Sequence, residues 1–254
     1  MVSRLRLITF DATNTLLRYK ESVGQTYSGV AQLYGVPADP HHVNHKFKTE
    51  FKRMVAQHPN FGCDSGMTSE QWWAELVNRT LSGSGTISES VMTSIATHLY
   101  ESYRTPECWA PNVGTVETLQ RLRQSGRKLG VISNTDERLD SILTGLRLRQ
   151  YFDFVIASAV VKVQKPSKDI FSLALICASS DERLKPVDAL HVGDNVELDY
   201  LAAKSAGWNA LLLANDEWHR HRALSKGRVD PGDVIQQLAD IFKVVDSQES
   251  RCAP

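Results

Sequence analysis

Leu5-Arg6-Leu7-Ile8-Thr9-Phe10 runs straight into Asp11-Ala12-Thr13-Asn14-Thr15-Leu16-Leu17, an apolar strand that ends on a carboxylate. At the carboxyl end of a buried parallel strand, a side chain points into the crevice where open α/β sheets bind ligands. Beside a divalent metal such a carboxylate can attack phosphorus. The plainer reading is a strand-end Asp closing an Asx turn on the next backbone amides. Three more polar sites at matching strand ends favour the chemical reading. They are Ser133 after Lys128-Leu129-Gly130-Val131-Ile132, Lys165, and the pair Asp194 and Asp199 after Ala189-Leu190-His191-Val192-Gly193.

Working outward, residues 19–106 carry almost no strand signal. Helical spacing covers Val23–Tyr34, Val43–Ala56, Ser69–Thr80 and Ser88–Tyr103, with Ser69 as an N-cap and Trp72 and Trp73 turned inward. Residues 57–62 and the tract Ser82-Gly83-Ser84-Gly85 read as loops. From about residue 112 strands and helices alternate. Helices are expected over 113–125, 137–146, 169–178 and 198–206, and further strands over 154–158 and 209–214. Repeated βα units with continuous apolar strands predict an α/β fold, a Rossmann-like doubly wound parallel sheet covered on both faces. Residues 1–18 and 107–254 form that core, and 19–106 form a helical insertion after the first strand. The last residues, 247–254, are expected to fray.

At 254 residues and 42% hydrophobic, the chain can bury a large core. Lys plus Arg equals Asp plus Glu at 29 each, so no overall field favours nucleic acid or a membrane surface. The longest apolar runs are strand-length, too short to span a bilayer. The first strand begins within a few residues of Met1, leaving no room for a signal peptide. Four scattered cysteines, Cys63, Cys108, Cys177 and Cys252, lack metal-type spacing and read as reduced thiols. An intracellular, cytoplasmic protein is expected, a monomer or weak homodimer.

The four sites, in this order and spacing, resemble the haloacid dehalogenase superfamily. Phe10–Leu17, Gln71-Trp72-Trp73 and His191-Val192-Gly193-Asp194-Asn195 carry a closer likeness to one subgroup within it. The resemblance spans essentially the whole chain. It implies a Rossmann-like core with a helical cap of the C1 type, opening and closing on hinges near residues 17–19 and 105–111. It also implies phosphotransfer to Asp11 as nucleophile with Mg2+ as cofactor and a small phosphorylated substrate. Magnesium ligands would be Asp11, Asp194, the backbone carbonyl of Thr13, and Asp199 directly or through water. Magnesium suits such hard oxygens, and paired carboxylates repel without a cation between them. Ser133 and Asn134 would bind phosphoryl oxygens with a helix N-terminus, unless they merely cap the helix near Asp136. Lys165, in Lys165-Pro166, would neutralise the nucleophile and the charge developing on phosphorus; Lys162 is its competitor.

Thr13 departs from that pattern. Hydrolytic members place an aspartate two residues after the nucleophile, where it protonates the leaving oxygen and then activates water. A threonine hydroxyl does not titrate near neutral pH, and losing such assistance slows a step about 10²–10⁴-fold. The sequence therefore predicts a slow Mg2+-dependent hydrolase, a trapped aspartyl-phosphate, or a phosphate-binding regulator with little turnover. Dehalogenation fits less well, because it does not need the magnesium carboxylates. Two histidine groups, His41/His42/His45 and His219/His221, lack supporting ligands and read as surface residues. The loop His58–Gly62 is the better specificity candidate. His191 reads as packing or supporting the site rather than as a base.

Overall fold

The structure, a computed structural model, describes residues 5–83, 87–179 and 184–252, with the side chains of 247–252 left aside. The chain divides into two compact units, Met1–Arg18 with Pro111–Asn134 and Arg147–Pro254, and Tyr19–Ala110 with Thr135–Leu146.

In chain order the elements are β1 (Leu7–Phe10), β2 (Leu17–Tyr19), α1 (Val23–Leu33), α2 (Pro40–Gln57), α3 (Ser69–Leu81), α4 (Glu89–Ser102) and β3 (Trp109–Pro111). There follow α5 (Thr115–Gln124), β4 (Lys128–Ser133), α6 (Arg138–Gly145), β5 (Phe154–Ala157), α7 (Ser158–Val161) and α8 (Lys168–Ala178). The last are β6 (Ala189–Gly193), α9 (Ala202–Ser205), β7 (Asn209–Leu213), α10 (Glu217–Leu224), β8 (Val234–Ile235) and α11 (Ile241–Cys252).

The first unit is a six-stranded sheet in the order β5-β4-β1-β6-β7-β8, parallel throughout. This is the α/β, Rossmann-like sheet that the alternating pattern predicts. Strand β1 lies at the point where the order reverses, and all four of its side chains are buried. Phe10 pairs with Val131 on one side and Val192 on the other, and the Asp11 amide bonds to the Val192 carbonyl at 2.9 Å. That register brings Asp11, Ser133 and Asp194 out at one sheet edge, in the crevice at the switch point. Ile132, Ile156, Phe171, Leu212 and their neighbours fill the core beside it.

Three strands escape the sequence reading. Strand β8 holds two residues, too few for a periodic signal, and β2 and β3 hold three each. The helix expected over 198–206 begins instead as a wide π-helical turn, Val196–Leu201, that continues into α9. Helix α11 reaches Cys252, within the segment expected to fray; Ala253 and Pro254 lie outside the described residues.

The second unit packs α1 to α4 around Tyr27, Leu81, Ile95 and Leu99. Its helices start on side-chain caps: Ser22 with Gln25, Asp39 ahead of Pro40, Thr68 with Gln71, and Ser88. Thr68, not Ser69, is therefore the cap of α3. Trp72 is fully buried among Met54, Leu76, Phe51 and Phe61. His58–Gly62 is not an open loop. It is a packed loop in which Asn60, Phe61 and Gly62 take left-handed backbone angles, the His58 carbonyl accepts from Trp72 Nε1 at 2.9 Å, and the Phe61 ring lies 5.2 Å from that of Trp72. Of the tract 82–85, Ser84 and Gly85 lie outside the described residues.

Helix α6 groups with this helical unit, whereas the sequence division placed residues 137–146 in the core. A buried ion pair at its start contacts that unit. Arg138 Nη2 meets Asp136 Oδ2 at 2.6 Å, its guanidinium lies 4.1 Å from the Tyr100 ring and 4.9 Å from that of Trp73, and Trp73 Nε1 donates to the same carboxylate. Guanidinium stacking and a second donor offset the desolvation of both charges. Among the described residues no helix is long and apolar enough to cross a membrane, and Cys63, Cys108 and Cys177 form no disulfide.

Candidate active site

The sheet register delivers three carboxylates to one place. Oxygens of Asp11, Asp194 and Asp199 lie within 4.8 Å of one another, the one such acidic or histidine group among the described residues. Both histidine clusters therefore stay apart from any metal-type grouping.

Lys165 stands at the centre of the cluster and is 2% exposed. Its ammonium donates to Asp11 Oδ1 at 2.7 Å, Asp199 Oδ1 at 2.6 Å and the Ile132 carbonyl at 2.9 Å, which uses all three protons. Burial disfavours the charge, but the two carboxylates outweigh it and hold the lysine above its ordinary value. Lys162 is exposed and lies outside the cluster. Asn134 fixes the Lys165 backbone from both sides, donating to its carbonyl at 2.9 Å and accepting from its amide at 2.8 Å.

Ser133 donates to Asp11 Oδ1 at 3.0 Å. Neither Ser133 nor Asn134 caps α6, whose N-cap is Glu137 without a side-chain bond. Among the described residues only Oδ1 of Asp11 is held, so Oδ2 keeps its lone pairs for an electrophile or a cation. Burial raises the Asp11 pKa, Lys165 lowers it, Asp199 raises it again, and the balance is upward. Asp194 faces solvent on one side, yet its carboxyl is pushed up to about 7, first by desolvation and then by Asp11 and Asp199.

Asp199 is the most constrained of the three. Oδ1 takes Lys165 and lies 3.2 Å from His191 Nε2, while Oδ2 accepts the Asn195 amide at 2.9 Å. Burial raises its pKa, but Lys165 and His191 overcome that and hold it well below the carboxylate range. With both oxygens engaged, Asp199 anchors Lys165 and the loop rather than facing solvent from a helix surface. His191 is fully buried, its pKa lowered by burial, and its Nδ1 lies 2.8 Å from the Thr9 hydroxyl. Neutral His191 with its proton on Nε2 satisfies both neighbours, since a carboxylate only accepts. The supporting bond of His191 was readable only as a polar residue inside an apolar strand.

Gly193 makes this approach possible. A methyl group added there would overlap the Asp199 carboxyl. We expect Gly193→Ala to displace Asp199, lowering unfolding stability by about 1–3 kcal/mol and turnover by about tenfold through a misplaced Lys165. Thermal unfolding and steady-state rates check this, and an alanine variant matching the parent in both would sink it.

The donor set fits a divalent cation. Three hard carboxylates face one lysine and a neutral histidine, an excess of negative charge that a cation such as Mg2+ would neutralise, held by Asp11 and Asp194. Thr13 is half-buried in the turn after β1 and bridges to Leu17 through the backbone. It brings no titratable group.

A family model described as haloacid dehalogenase-like hydrolase matches residues 5–207. The chain is 38% identical over 252 residues to the rhythmically expressed gene 2 protein of Drosophila melanogaster, covering 96% of each. It is 37% identical to the haloacid dehalogenase-like hydrolase domain-containing protein 3 of Mus musculus, covering 84% of each. Among solved structures, the HAD-hydrolase YfnB of Bacillus subtilis, determined bound to magnesium, superposes with a TM-score of 0.70 at 16% identity, covering 96% of this chain and 100% of that one.

Proposed function

The chain belongs to the haloacid dehalogenase-like hydrolase family, and from that premise we propose that it is a magnesium-dependent phosphotransfer hydrolase acting on a small phosphorylated molecule. The observation that carries this reading is the buried bond from Lys165 to Asp11, with Asp194 and Asp199 grouped around it. Asp11 Oδ2 attacks phosphorus, forming an aspartyl-phosphate as the ester P–O bond breaks and its electron pair leaves on the substrate oxygen. Ser133 and the Lys165 ammonium hold Oδ1 so that Oδ2 faces the electrophile, and Lys165 balances the charge that develops. Bound Mg2+ would supply charge neutralisation for the phosphoryl oxygens. Water then hydrolyses the acyl phosphate and regenerates Asp11.

Asp194, Asp199 and the Thr13 carbonyl complete the proposed metal environment, Asp199 directly or through water. Ser133 and Asn134 line the phosphoryl side. The helical unit serves as the cap in this reading.

The test is incubation of purified protein with Mg2+ and a panel of phosphate monoesters, with mass spectrometry of the Asp11 peptide. Phosphate release with Asp11 as the phosphorylated residue is the expected result; release without that adduct, under rapid quench, would displace Asp11 as nucleophile. Thr13 favours a second reading, a phosphate-binding regulator, because the position two residues after Asp11 carries no carboxyl to protonate the leaving oxygen. A Thr13→Asp substitution separates the two. If proton transfer limits the rate, turnover rises by roughly tenfold or more; an unchanged rate means that another group already supplies the proton or that chemistry is not limiting.

A further inference from the structure

Asp194 belongs to two features of the first unit. Besides joining the carboxylate cluster, it borders a cavity of about 340 Å3. That volume is at the small end of ligand pockets, which run roughly 300–1,000 Å3. The other walls come from the loop after β6, the end of β7, α10 and the segment after it, which contribute Glu197, His219, Arg222, Lys226 and Arg228. Three fixed cations thus face two carboxylates. Glu197 is already engaged by Arg228 in an ion pair. His219 is held by Asp216 at 2.6 Å. Arg222 lies with its guanidinium 5.2 Å from the Trp218 ring, which restrains it, and the Lys226 ammonium takes part in no ion pair among the described residues. The chain as a whole carries no net charge, so this concentration of cations beside the reaction centre is local.

The lining is mixed but carries an excess of positive charge, three cations against two carboxylates of which one is paired with Arg228, and such an excess raises the local concentration of anions. Guanidinium and ammonium groups bind carboxylate and phosphate with charge-assisted hydrogen bonds. We propose that this cavity is the subsite for a second anionic group on the substrate, so that the preferred molecules are phosphate esters bearing a further phosphate or carboxylate on a short carbon chain. The inference rests on the phosphotransfer reading for the position of the reacting phosphoryl group, and on the cavity for everything else.

Three probes sharing one carbon chain test it: propyl phosphate, 3-phosphonooxypropanoate and propane-1,3-diyl bisphosphate. We expect kcat/KM for the two doubly anionic probes to exceed that of propyl phosphate by about tenfold or more at low ionic strength, the advantage shrinking with added salt. In the double variant Arg222→Ala/Lys226→Ala the ratio falls toward one, while Lys243→Ala, a charge change elsewhere on the unit, keeps it. A ratio near one in the parent protein overturns the proposal. So does a high ratio that survives the double variant. Carboxylate and phosphate ends are told apart by which of the two probes gains more. Should no probe turn over, calorimetric titration of the bisphosphate into the magnesium-loaded protein decides the matter alone: binding lost in the double variant sustains the subsite though the hydrolase reading fails, and equal or absent binding removes it.

Discussion

Lys165→Met is expected to remove about 3–5 kcal/mol of folding stability and at least about 10²–10³-fold of turnover. The lysine is 2% exposed, and its three protons serve Asp11, Asp199 and the Ile132 carbonyl. Methionine keeps the length and the apolar stem but leaves two buried carboxylates facing each other with no cation. Removing one partner of a buried pair costs far more than the pair contributes, because the remaining charge stays desolvated. The double variant Lys165→Met/Asp199→Asn relieves that repulsion. It should recover part of the stability and none of the turnover, since the charge opposite Asp11 is still missing. Denaturant unfolding of the four proteins in the cycle gives the coupling directly. Equal unfolding midpoints for the parent and Lys165→Met would show that the ammonium is not compensating the cluster.

How much of this was readable beforehand depends on which forces placed each residue. The five long strands announce themselves because parallel strands buried on both faces need continuous apolar runs, and each run here ends on a polar residue. Asp11, Ser133 and Asp194 follow from those ends alone. Lys165 was separable from Lys162 by the proline beside it, and the structure puts its ammonium in the cluster. Asp199 was visible as a partner of Asp194, but not its commitment to Lys165, His191 and the Asn195 amide. That commitment depends on the wide turn at Val196–Leu201 and on the missing side chain at Gly193, neither of which has a periodic signature.

Other elements were hidden for different reasons. Strand β8 owes its pairing to β7 rather than to any pattern of its own, its two residues lying opposite Leu212 and Leu213. The start of α2 was announced by Asp39-Pro40, an N-cap followed by proline in the first turn, and the apolar spacing that begins at Val43 obscured it. Helix α6 carries the alternation of the sheet unit in sequence, yet the Arg138–Asp136 pair stacked on Tyr100 and Trp73 ties it to the helical unit. Contacts between residues 38 and 63 positions apart support that grouping, and local pattern holds no record of them.

Asp11→Asn is expected to abolish turnover, by at least about 10⁴-fold, while making the metal-free protein more stable. The first half follows from loss of the nucleophilic oxygen. The second follows from the electrostatics of the cluster. Burial, joined by Asp199, raises the Asp11 pKa more than Lys165 lowers it. A carboxyl whose folded-state pKa lies above its unfolded value binds its proton more tightly when folded. Its ionised form therefore costs stability, and the cost grows as pH rises through the folded-state pKa. Asparagine keeps the shape and carries no charge, and Lys165 retains Asp199 and the Ile132 carbonyl as partners. At pH 7 without divalent cation, the thermal midpoint should rise by about 2–4 °C for each kcal/mol recovered, and the gain should diminish as the pH is lowered. With Mg2+ the order should reverse, because the parent keeps a ligand that the variant has lost and a cation bound to the folded state stabilises it by mass action. A site that works by holding charges in opposition stores its own instability, which the cation relieves. A metal-free Asp11→Asn protein that melts below its parent would contradict that account, whatever its activity.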